Sequence, residues 1–431
     1  MINEISGFLL GELGTDVKGN GSLDITPQER QLLRDLARQV AEIASRPEMA
    51  ERRDAWRRHN RLERVRPMIL VFPEGAWREL LPANTLQCEG DHARAVEWTL
   101  KSRIYRAEHI HDDTVIERDW TIHKRISHSG WGLEAKVHPS QEGTGAWAFD
   151  PVIIEPSDLA KLRMPQVDYD DWGSRQDLER AEDLFGDILD VQLKGVSHVS
   201  FHLMNLYTGL RGLEQVMWDM LDNPGMLHDA MAFLEEGHRG LVRQYLEGGL
   251  LSLNNDGTYH SSGGNGYSTE LPAAGYEPGN VRLCDMWASA EAQEMAQVSP
   301  AMHEEFILSY ERRLLEPFGL TGYGCCEDLT DKLDDVLTIR NLRRISISPW
   351  ADVQACAERL AGDYICSWKP NPAHLVGAFD DEALRGYIGT TLDATKSGVV
   401  EMILKDTHTC EHHPERFTRW TDIAQELVAS Y

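Results

Sequence analysis

The stretch RRISISPWADVQACAERLAGDYICSWKPNP, residues 343–372, shows the pattern that decides the fold. An apolar run rich in isoleucine is followed by a segment with helical spacing of its apolar residues, and this segment ends on Gly362, as a helix C-cap would. A second apolar run follows at residues 364–370. A strand, a helix and a second strand in this order predict two parallel strands joined by a helical crossover.

The same alternation extends over most of the chain. Eight apolar runs are predicted to be strands, at residues 66–73, 198–205, 249–256, 281–288, 320–326, 343–349, 364–370 and 399–406. Most are followed by helical segments, such as residues 299–319, where Ser299 suits the N-cap and Pro300 the first helical position. Eight such strands favour a (β/α)8 TIM barrel over an open sheet.

Two regions lie outside this alternation. Residues 27–66 are rich in Arg, Glu, Leu and Ala with helical spacing, so residues 1–66 are predicted to be an N-terminal helical extension and residues 67–431 the barrel. Residues 100–195 carry short strand-like runs and a loop or hairpin at residues 141–151. They predict an insertion among the early strands.

The composition of the chain limits the classes of function and partner that are expected. The chain has 43 Lys plus Arg against 70 Asp plus Glu, a formal charge of −27, which disfavours nucleic acid and membrane surfaces as partners. The first ten residues lack a basic segment followed by an apolar stretch, and no run of about 18 apolar residues occurs. Seven scattered cysteines indicate reduced thiols. We therefore expect a soluble cytoplasmic protein.

Polar and aromatic side chains collect where the predicted strands end, which is where a TIM barrel carries its chemistry. They are Asp256, Tyr259, His260, Trp287, Tyr323, Glu327, Trp350, Lys369, Lys405 and Asp406. Plainer interpretations exist for several of them, since tryptophans also pack at barrel rims. The sequence HIHDD at residues 109–113 has the spacing of metal ligands, but a solvated loop is the simpler interpretation.

The sharpest feature is the adjacent pair Cys325 and Cys326. Neighbours on a strand point to opposite sides, so Cys326, which shares a face with Gly322 and Gly324, is predicted to face the barrel mouth and Cys325 the helices. If the last strand stays extended, a period of two aligns Asp406, His408 and Cys410. Cysteine and histidine are ligands that zinc prefers. Packed or merely reactive thiols are the alternative.

Four segments carry a resemblance to a known family: residues 206–237, FGLTGYGCCEDL (318–329), residues 344–375 and ILKDTHTC (403–410). From about residue 67 the chain resembles the uroporphyrinogen decarboxylase superfamily, which also contains zinc-dependent, corrinoid-linked methyltransferases. Its porphyrinogen decarboxylases carry an arginine-bearing segment after the first strand, where this chain offers only Arg78. The resemblance therefore favours the methyltransferase branch.

The leading hypothesis is methyl transfer with a separate corrinoid protein, because the chain lacks a complete cobalamin-binding DxHxxG element. The resemblance implies a zinc site, and the predicted ligands are Cys325, Cys326, His408 and Cys410. The predicted catalytic residues are His260, Asp256, Tyr323, Glu327 and Asp406. The predicted substrate-binding residues are Tyr259, Trp287, Arg344, Trp350 and Lys369. The resemblance also implies a homodimer.

Two further hypotheses use the same barrel. A lyase or decarboxylase of a small carboxylate would use His260, Asp256 and Asp406 for acid–base chemistry, with Lys369 and Arg344 neutralising the substrate. A binding module would carry a ligand at the barrel mouth without turnover. Metal content and activity after metal removal separate the first two.

Overall fold

The computed structural model describes residues 19–138, 148–260 and 263–431, so most of the predicted loop at 141–151 lies outside the described residues. The strands are β1 Met68–Val71, β2 Asp119–His123, β3 Arg125–His128, β4 Lys136–His138, β5 Ala148–Asp150, β6 Val167–Asp170, β7 Asp190–Lys194, β8 Ser200–Phe201, β9 Trp287–Ala290, β10 Leu320–Tyr323, β11 Leu342–Ile347, β12 Ile365–Trp368 and β13 Val399–Leu404.

Within the described residues, seven of these strands form one parallel sheet in the order β1-β13-β12-β11-β10-β9-β8. The predicted parallel α/β architecture is confirmed at this level. Two predicted strands are corrected. Residues 249–256 form only an isolated parallel bridge, Val196 to Leu251, and the run at 281–288 begins as the 3-10 turn Leu283–Asp285. No hydrogen-bonded ladder joins β1 to β8 in the part of the chain described.

Helices connect and cover the strands. They are α1 Pro27–Ala44, α2 Pro47–Asn60, α3 Trp77–Leu80, α4 Asp91–His109, α5 Asp171–Phe185, α6 Leu203–Arg211, α7 Leu213–Asp222, α8 Pro224–Glu247, α9 Pro300–His303, α10 Ser309–Leu315, α11 Leu333–Val336, α12 Val353–Leu360, α13 Asp381–Thr395 and α14 Glu415–Val428, with a π-helical segment at Glu304–Leu308. None of these helices combines the length and apolar character needed to cross a membrane.

The predicted helix ends agree with the local geometry. Ser299 caps α9, because its Oγ accepts a hydrogen bond from the Met302 amide at 3.3 Å. Helix α12 ends at Leu360, and the chain leaves it through two residues with left-handed backbone, Ala361 (φ 45°) and Gly362 (φ 90°). The crossover predicted between β11 and β12 is therefore confirmed.

The two faces of the sheet differ in chemistry. The face toward the helices is apolar and carries residues such as Ile345, Trp368 and Met402, which belong to the main core. The opposite, inner face carries Arg344 on β11 and Glu401 on β13, both fully buried. Parallel register sets this arrangement, because paired residues on neighbouring parallel strands point to the same side.

The N-terminal helices pack directly against this framework. Helix α1 packs on α4 and closes a second apolar core. Helix α2 ends under the sheet, where the Asn60 Nδ2 donates to the carbonyls of Asn265 (3.1 Å) and Tyr267 (2.6 Å). Residues 27–60 thus contribute side chains to the inner face of the sheet.

The HIHDD segment lies beside β1. The Asp113 amide donates to the Ile69 carbonyl and the Asp113 carboxylate accepts from the Ile69 amide, both at 2.8 Å. The Asp112 carboxylate accepts from the Val71 amide at 2.9 Å. These carboxylates satisfy the backbone of an edge strand, so the two aspartates are neither metal ligands nor solvated, whereas His109 and His111 are exposed.

The insertion follows this segment. Strand β2 pairs with β7 in parallel, while β3 with β6 and β4 with β5 form small antiparallel ladders. These pairs lie outside the seven-stranded sheet.

Candidate functional site

Two sulfurs meet at the carboxyl ends of the strands. Cys325 Sγ and Cys326 Sγ lie 3.6 Å apart, in the loop that follows β10. The Lys405 Nζ, just after β13, donates to Cys325 Sγ at 3.5 Å, and Cys326 Sγ lies 3.8 Å from Asp406 Oδ2. We call Cys325, Cys326, Lys405 and Asp406 the thiol cluster.

The expectation that the two cysteines point to opposite sides is wrong. Strand β10 ends at Tyr323, and Gly324 has φ 89°, so the period-two alternation stops before the cysteines. A Cβ on Gly324 would lie 2.7 Å from Leu329 Cδ1, so glycine also provides the space for this turn. The turn carries both thiols to the same side, and both are half-buried.

The cluster makes the two thiols chemically unequal. The hydrogen bond with Cys326 and burial raise the pKa of Cys325 well above its usual value, whereas the hydrogen bond with Cys325 lowers the pKa of Cys326. Burial acts to lower the pKa of Lys405, but its electrostatic interactions with Tyr259, Cys325 and Asp406 outweigh this effect and the pKa is raised. Cys326 is therefore the more acidic of the two thiols and Cys325 the less acidic one.

Glu327 supports the loop from beneath. Its carboxylate accepts from the amides of Cys325 (2.8 Å) and Ala292 (3.1 Å), which ties the β10 loop to the end of β9. Burial and the neighbouring charge of Glu291 raise the pKa of Glu327 to about 7. These contacts are with backbone amides, so the role of Glu327 is to position the loop after β10.

Tyr323 lies on the helix side of β10, away from the thiol cluster. Its hydroxyl donates to Glu311 Oε2 and lies beside His303 Nε2, both at 3.0 Å, and the side chain is fully buried. Its prediction as a catalytic, pocket-lining residue is contradicted by this position, because it points into the layer between the sheet and α9–α10.

The four predicted zinc ligands do not come together. Strand β13 ends at Leu404 and Asp406 has φ 59°, so the extended spacing that would align Asp406, His408 and Cys410 is lost. Cys410 is fully buried and its thiol donates to Glu79 Oε2 at 3.1 Å, while His408 is exposed. Across the described residues, no group of three or more His, Cys, Asp or Glu side chains is arranged to hold a metal.

The residues at this place therefore do not fit a zinc site. The group that lies beside the Cys325 sulfur is the Lys405 ammonium group, which is a cation and not a metal ligand. An ammonium group stabilises a thiolate electrostatically without direct coordination.

A second polar group fills the inner face of the sheet. Arg344 Nε lies 2.9 Å from Glu401 Oε1, and the Arg344 Nη2 donates to Asn60 Oδ1 at 2.7 Å. His59 Nε2 lies 3.1 Å from Glu401 Oε2. We call His59, Asn60, Arg344 and Glu401 the inner network, and all four are buried.

The opposite charges of Arg344 and Glu401 compensate one another within the inner network. Burial alone would raise the pKa of Glu401, but the charge of Arg344 and the hydrogen bond with His59 outweigh it and lower the pKa to about 2. The Arg344 guanidinium also lies 5.1 Å from the Trp287 ring centroid. Arg344 and Trp287, predicted to bind substrate, thus contact protein groups instead.

His260 and Lys369 lie beside this network. His260 is buried, its ring centroid lies 5.4 Å from that of Trp287 with the two planes tilted by 32°, and neither ring nitrogen has a hydrogen-bond partner among the described residues. Burial lowers the pKa of His260 well below its usual value, so the ring is neutral. The Lys369 Nζ donates to Ser367 Oγ at 2.8 Å, and burial lowers its pKa to about 8.

The remaining predicted residues occupy separate places. Asp256 forms an ion pair with Lys194 and accepts from the Thr258 amide, so its contacts tie its loop to the end of β7. The Tyr259 ring packs 4.4 Å from that of Phe72, beside the end of β1. Trp350, just beyond β11, is 72% exposed and is available to a ligand.

A cavity of about 330 Å³ lies at the other end of the sheet. Leu271, Cys284, Phe318 and Arg340 line it, next to the amino ends of β9, β10 and β11. In parallel α/β folds that end serves stability, whereas chemistry gathers at the carboxyl ends. The thiol cluster is therefore the better candidate site.

Two contributions to these polar groups were not predicted from the sequence: that of Lys405 to the thiol cluster, and that of His59 and Asn60 to the inner network. Lys405 was visible at a strand end, but its approach to Cys325, 80 positions away, has no sequence signal. His59 and Asn60 lie in RRHNR, within the predicted extension, where nothing distinguishes them from surface residues. Comparison of the chain with protein-family models and with curated proteins found no match.

Proposed function

We propose that this protein is a thiol-dependent methyltransferase that acts on a small methylated substrate at the carboxyl ends of its parallel strands. The observation that carries the proposal is the thiol cluster, in which Cys326 is paired with a thiol donor and a lysine ammonium group lies beside them. A thiolate is a strong nucleophile toward a methyl group bound to a good leaving group.

The proposal includes a (β/α)8 barrel. In a flat sheet β10 and β13, three strand spacings apart, would be separated by roughly 14 Å. The 3.5 Å contact between Cys325 and Lys405 supports strong curvature of the sheet. At the open edge of the sheet, Asp112 and Asp113 contact β1, and the chain continues from them to β2. Strand β2 pairs with β7, and the chain continues from β7 to β8. In the proposed barrel, the eighth strand would come from this path.

In the proposed step the Cys326 sulfur forms a bond to the methyl carbon and the bond from that carbon to the leaving group breaks. The leaving group keeps the electron pair. Lys405 stabilises the anionic cluster before transfer, and Glu327 holds the loop in position. A separate corrinoid protein would accept the methyl group and regenerate the thiolate. Zinc has no part in this step, because the predicted ligands do not form a site.

The compartment and assembly are part of the same proposal. All seven cysteines are free, which supports a reducing, cytoplasmic setting. A homodimer is proposed on the resemblance alone.

The lyase alternative has less support. It needs Arg344 and Lys369 to neutralise a substrate carboxylate, but Arg344 is already paired with Glu401 and buried. Activity that survives loss of the Cys326 thiol and disappears in His260→Ala would favour it.

The test is a panel of small methyl donors, assayed with and without corrinoid protein. We expect the peptide that contains Cys326 to gain one methyl group by mass spectrometry, and we expect Cys326→Ser to abolish both this gain and turnover. Cys284→Ser, which removes a half-buried thiol at the opposite end of the sheet, is the matched control and should retain activity. Full turnover in Cys326→Ser would rule out the proposal.

A further inference from the structure

The loop after β10 holds two sulfurs in van der Waals contact on the same side of the chain. We propose that Cys325 and Cys326 form a reversible redox site, in which a hydroperoxide oxidises the dithiol to a disulfide between neighbouring residues. The proposal adds a second activity to the site. Its consequence for methyl transfer rests on the proposed function, since the oxidised form lacks the thiolate.

The arrangement of the two cysteine sulfurs is close to that of the disulfide they would form. A disulfide has an S–S length of about 2.0 Å, so the two sulfurs, now 3.6 Å apart, need to approach by roughly 1.6 Å. Rotation about the cysteine side chains can supply this movement while the loop backbone stays anchored. Ser346 Oγ donates to the Cys325 carbonyl at 2.6 Å, and Glu327 accepts from the Cys325 amide at 2.8 Å.

The same geometry makes the oxidised form easy to reduce. Neighbouring Cα atoms are about 3.8 Å apart, below the range of about 4.4–6.8 Å usual for disulfides. A disulfide formed there is strained, and strained disulfides have more oxidising potentials and are the labile ones. The site is therefore suited to cycling between two states and unsuited to permanent cross-linking.

The surroundings assign different roles to the two sulfurs. Cys325 contacts Lys405, while Cys326 lies toward the exposed Asp406. Cys326 is thus the sulfur that meets an incoming oxidant, and Cys325 is placed to resolve the intermediate. Four other cysteines, Cys88, Cys356, Cys366 and Cys410, are buried and shielded from the oxidant.

The reaction proceeds in two steps. The Cys326 thiolate attacks a peroxide oxygen, so that an S–O bond forms, the O–O bond breaks and the departing alkoxide takes a proton from water. The Cys325 sulfur then attacks Cys326 Sγ, so that the S–S bond forms and hydroxide leaves, combining with the Cys325 proton as water. Two thiols are oxidised by two electrons, and one hydroperoxide is reduced to an alcohol and water.

The test uses the full reduced chain and hydrogen peroxide. We expect the thiol titre, measured after denaturation, to fall by two from the seven of the reduced protein, and dithiothreitol to restore it. The peptide that contains both cysteines should lose two hydrogens. In Cys325→Ser we expect the titre to fall by one, with a sulfenic acid at Cys326 that dimedone traps. Cys284→Ser should show the same fall of two, in which case the half-buried Cys284 is not a site of oxidation.

Three outcomes would overturn the proposal. One is an unchanged titre in the wild-type chain, the second is a disulfide that joins two chains on a non-reducing gel, and the third is dimedone labelling of wild-type Cys326 equal to that of Cys325→Ser. These measurements use no methyl donor. Failure of methyl transfer therefore leaves the redox result intact, and the reverse also holds.

Discussion

The inner network and the thiol cluster each bring a cationic side chain against acidic groups on the same side of the sheet, but they differ in access to solvent. Arg344 and Glu401 are both fully buried, and His59 and Asn60 add further partners. Cys325 and Cys326 are half-buried, and the neighbouring Asp406 is exposed. A buried group whose opposite charges compensate one another holds structure in place, whereas an open group of the same charge type can meet a reactant.

The difference follows from desolvation. Charges buried away from water must be compensated by partners, so the loss of one partner leaves an uncompensated charge at high cost. Near the surface, water compensates instead, and the same loss has a small effect on stability but a direct effect on reactivity. Four predictions test this division, from the largest expected effect to the smallest.

Glu401→Gln should lower the free energy of unfolding by about 3–5 kcal/mol, because it leaves the Arg344 charge buried without its counter-ion. Urea denaturation measures this. The matched control is Glu426→Gln, which removes the carboxylate of the surface pair with Arg385 and should change stability by less than about 0.5 kcal/mol. Equal effects of the two substitutions would mean that the inner network does not hold the fold.

Low pH should lower the free energy of unfolding, because the Glu401 carboxylate becomes protonated. The folded-state pKa of Glu401, about 2, is below its usual value of 4.5, so its contribution is fully present above pH 4.5 and is lost as the pH falls toward 2. The difference in unfolding free energy between wild type and Glu401→Gln should therefore shrink over that window by about 3 kcal/mol. A difference that stays constant with pH would contradict the assigned pKa.

Lys405→Met should slow alkylation of Cys326 by about tenfold at neutral pH, about 1.4 kcal/mol, because loss of the ammonium group raises the thiolate energy. Iodoacetamide labelling followed by peptide mass analysis gives the rate. Lys161→Met, at an exposed lysine remote from the cluster, is the control and should leave the rate unchanged. An unaltered rate in Lys405→Met would show that Lys405 does not activate the cluster.

Trp350→Ala should have the smallest effect on stability, below about 0.5 kcal/mol, because the side chain is 72% exposed. If the ring forms a wall for substrate, KM should rise several-fold while kcat stays near the wild-type value. Trp172→Ala, at an equally exposed tryptophan on α5, is the matched control. Identical kinetics in both variants would remove Trp350 from the site.

Much of the framework was predictable from local patterns. Apolar runs between helical segments predicted the parallel strands from β10 to β13, and Ser299 predicted the start of α9, because periodicity and capping depend on neighbouring residues. The predictions for the cysteine pair and for the alignment of Asp406, His408 and Cys410 failed because they extrapolated a strand beyond its end. At Gly324 and Asp406 the backbone enters the left-handed region, and side-chain alternation cannot be projected past such a residue.

The sequence by itself determined the class of fold, the acidic surface and the presence of two adjacent thiols near the carboxyl end of a strand. Only the tertiary structure decided what those thiols meet. Cys325 contacts Lys405 across two intervening strands, and Arg344 pairs with Glu401 and with Asn60 from the N-terminal helices. Such contacts depend on sheet curvature and helix packing, which arise from the summed burial of many side chains and leave no trace in the spacing of any two residues.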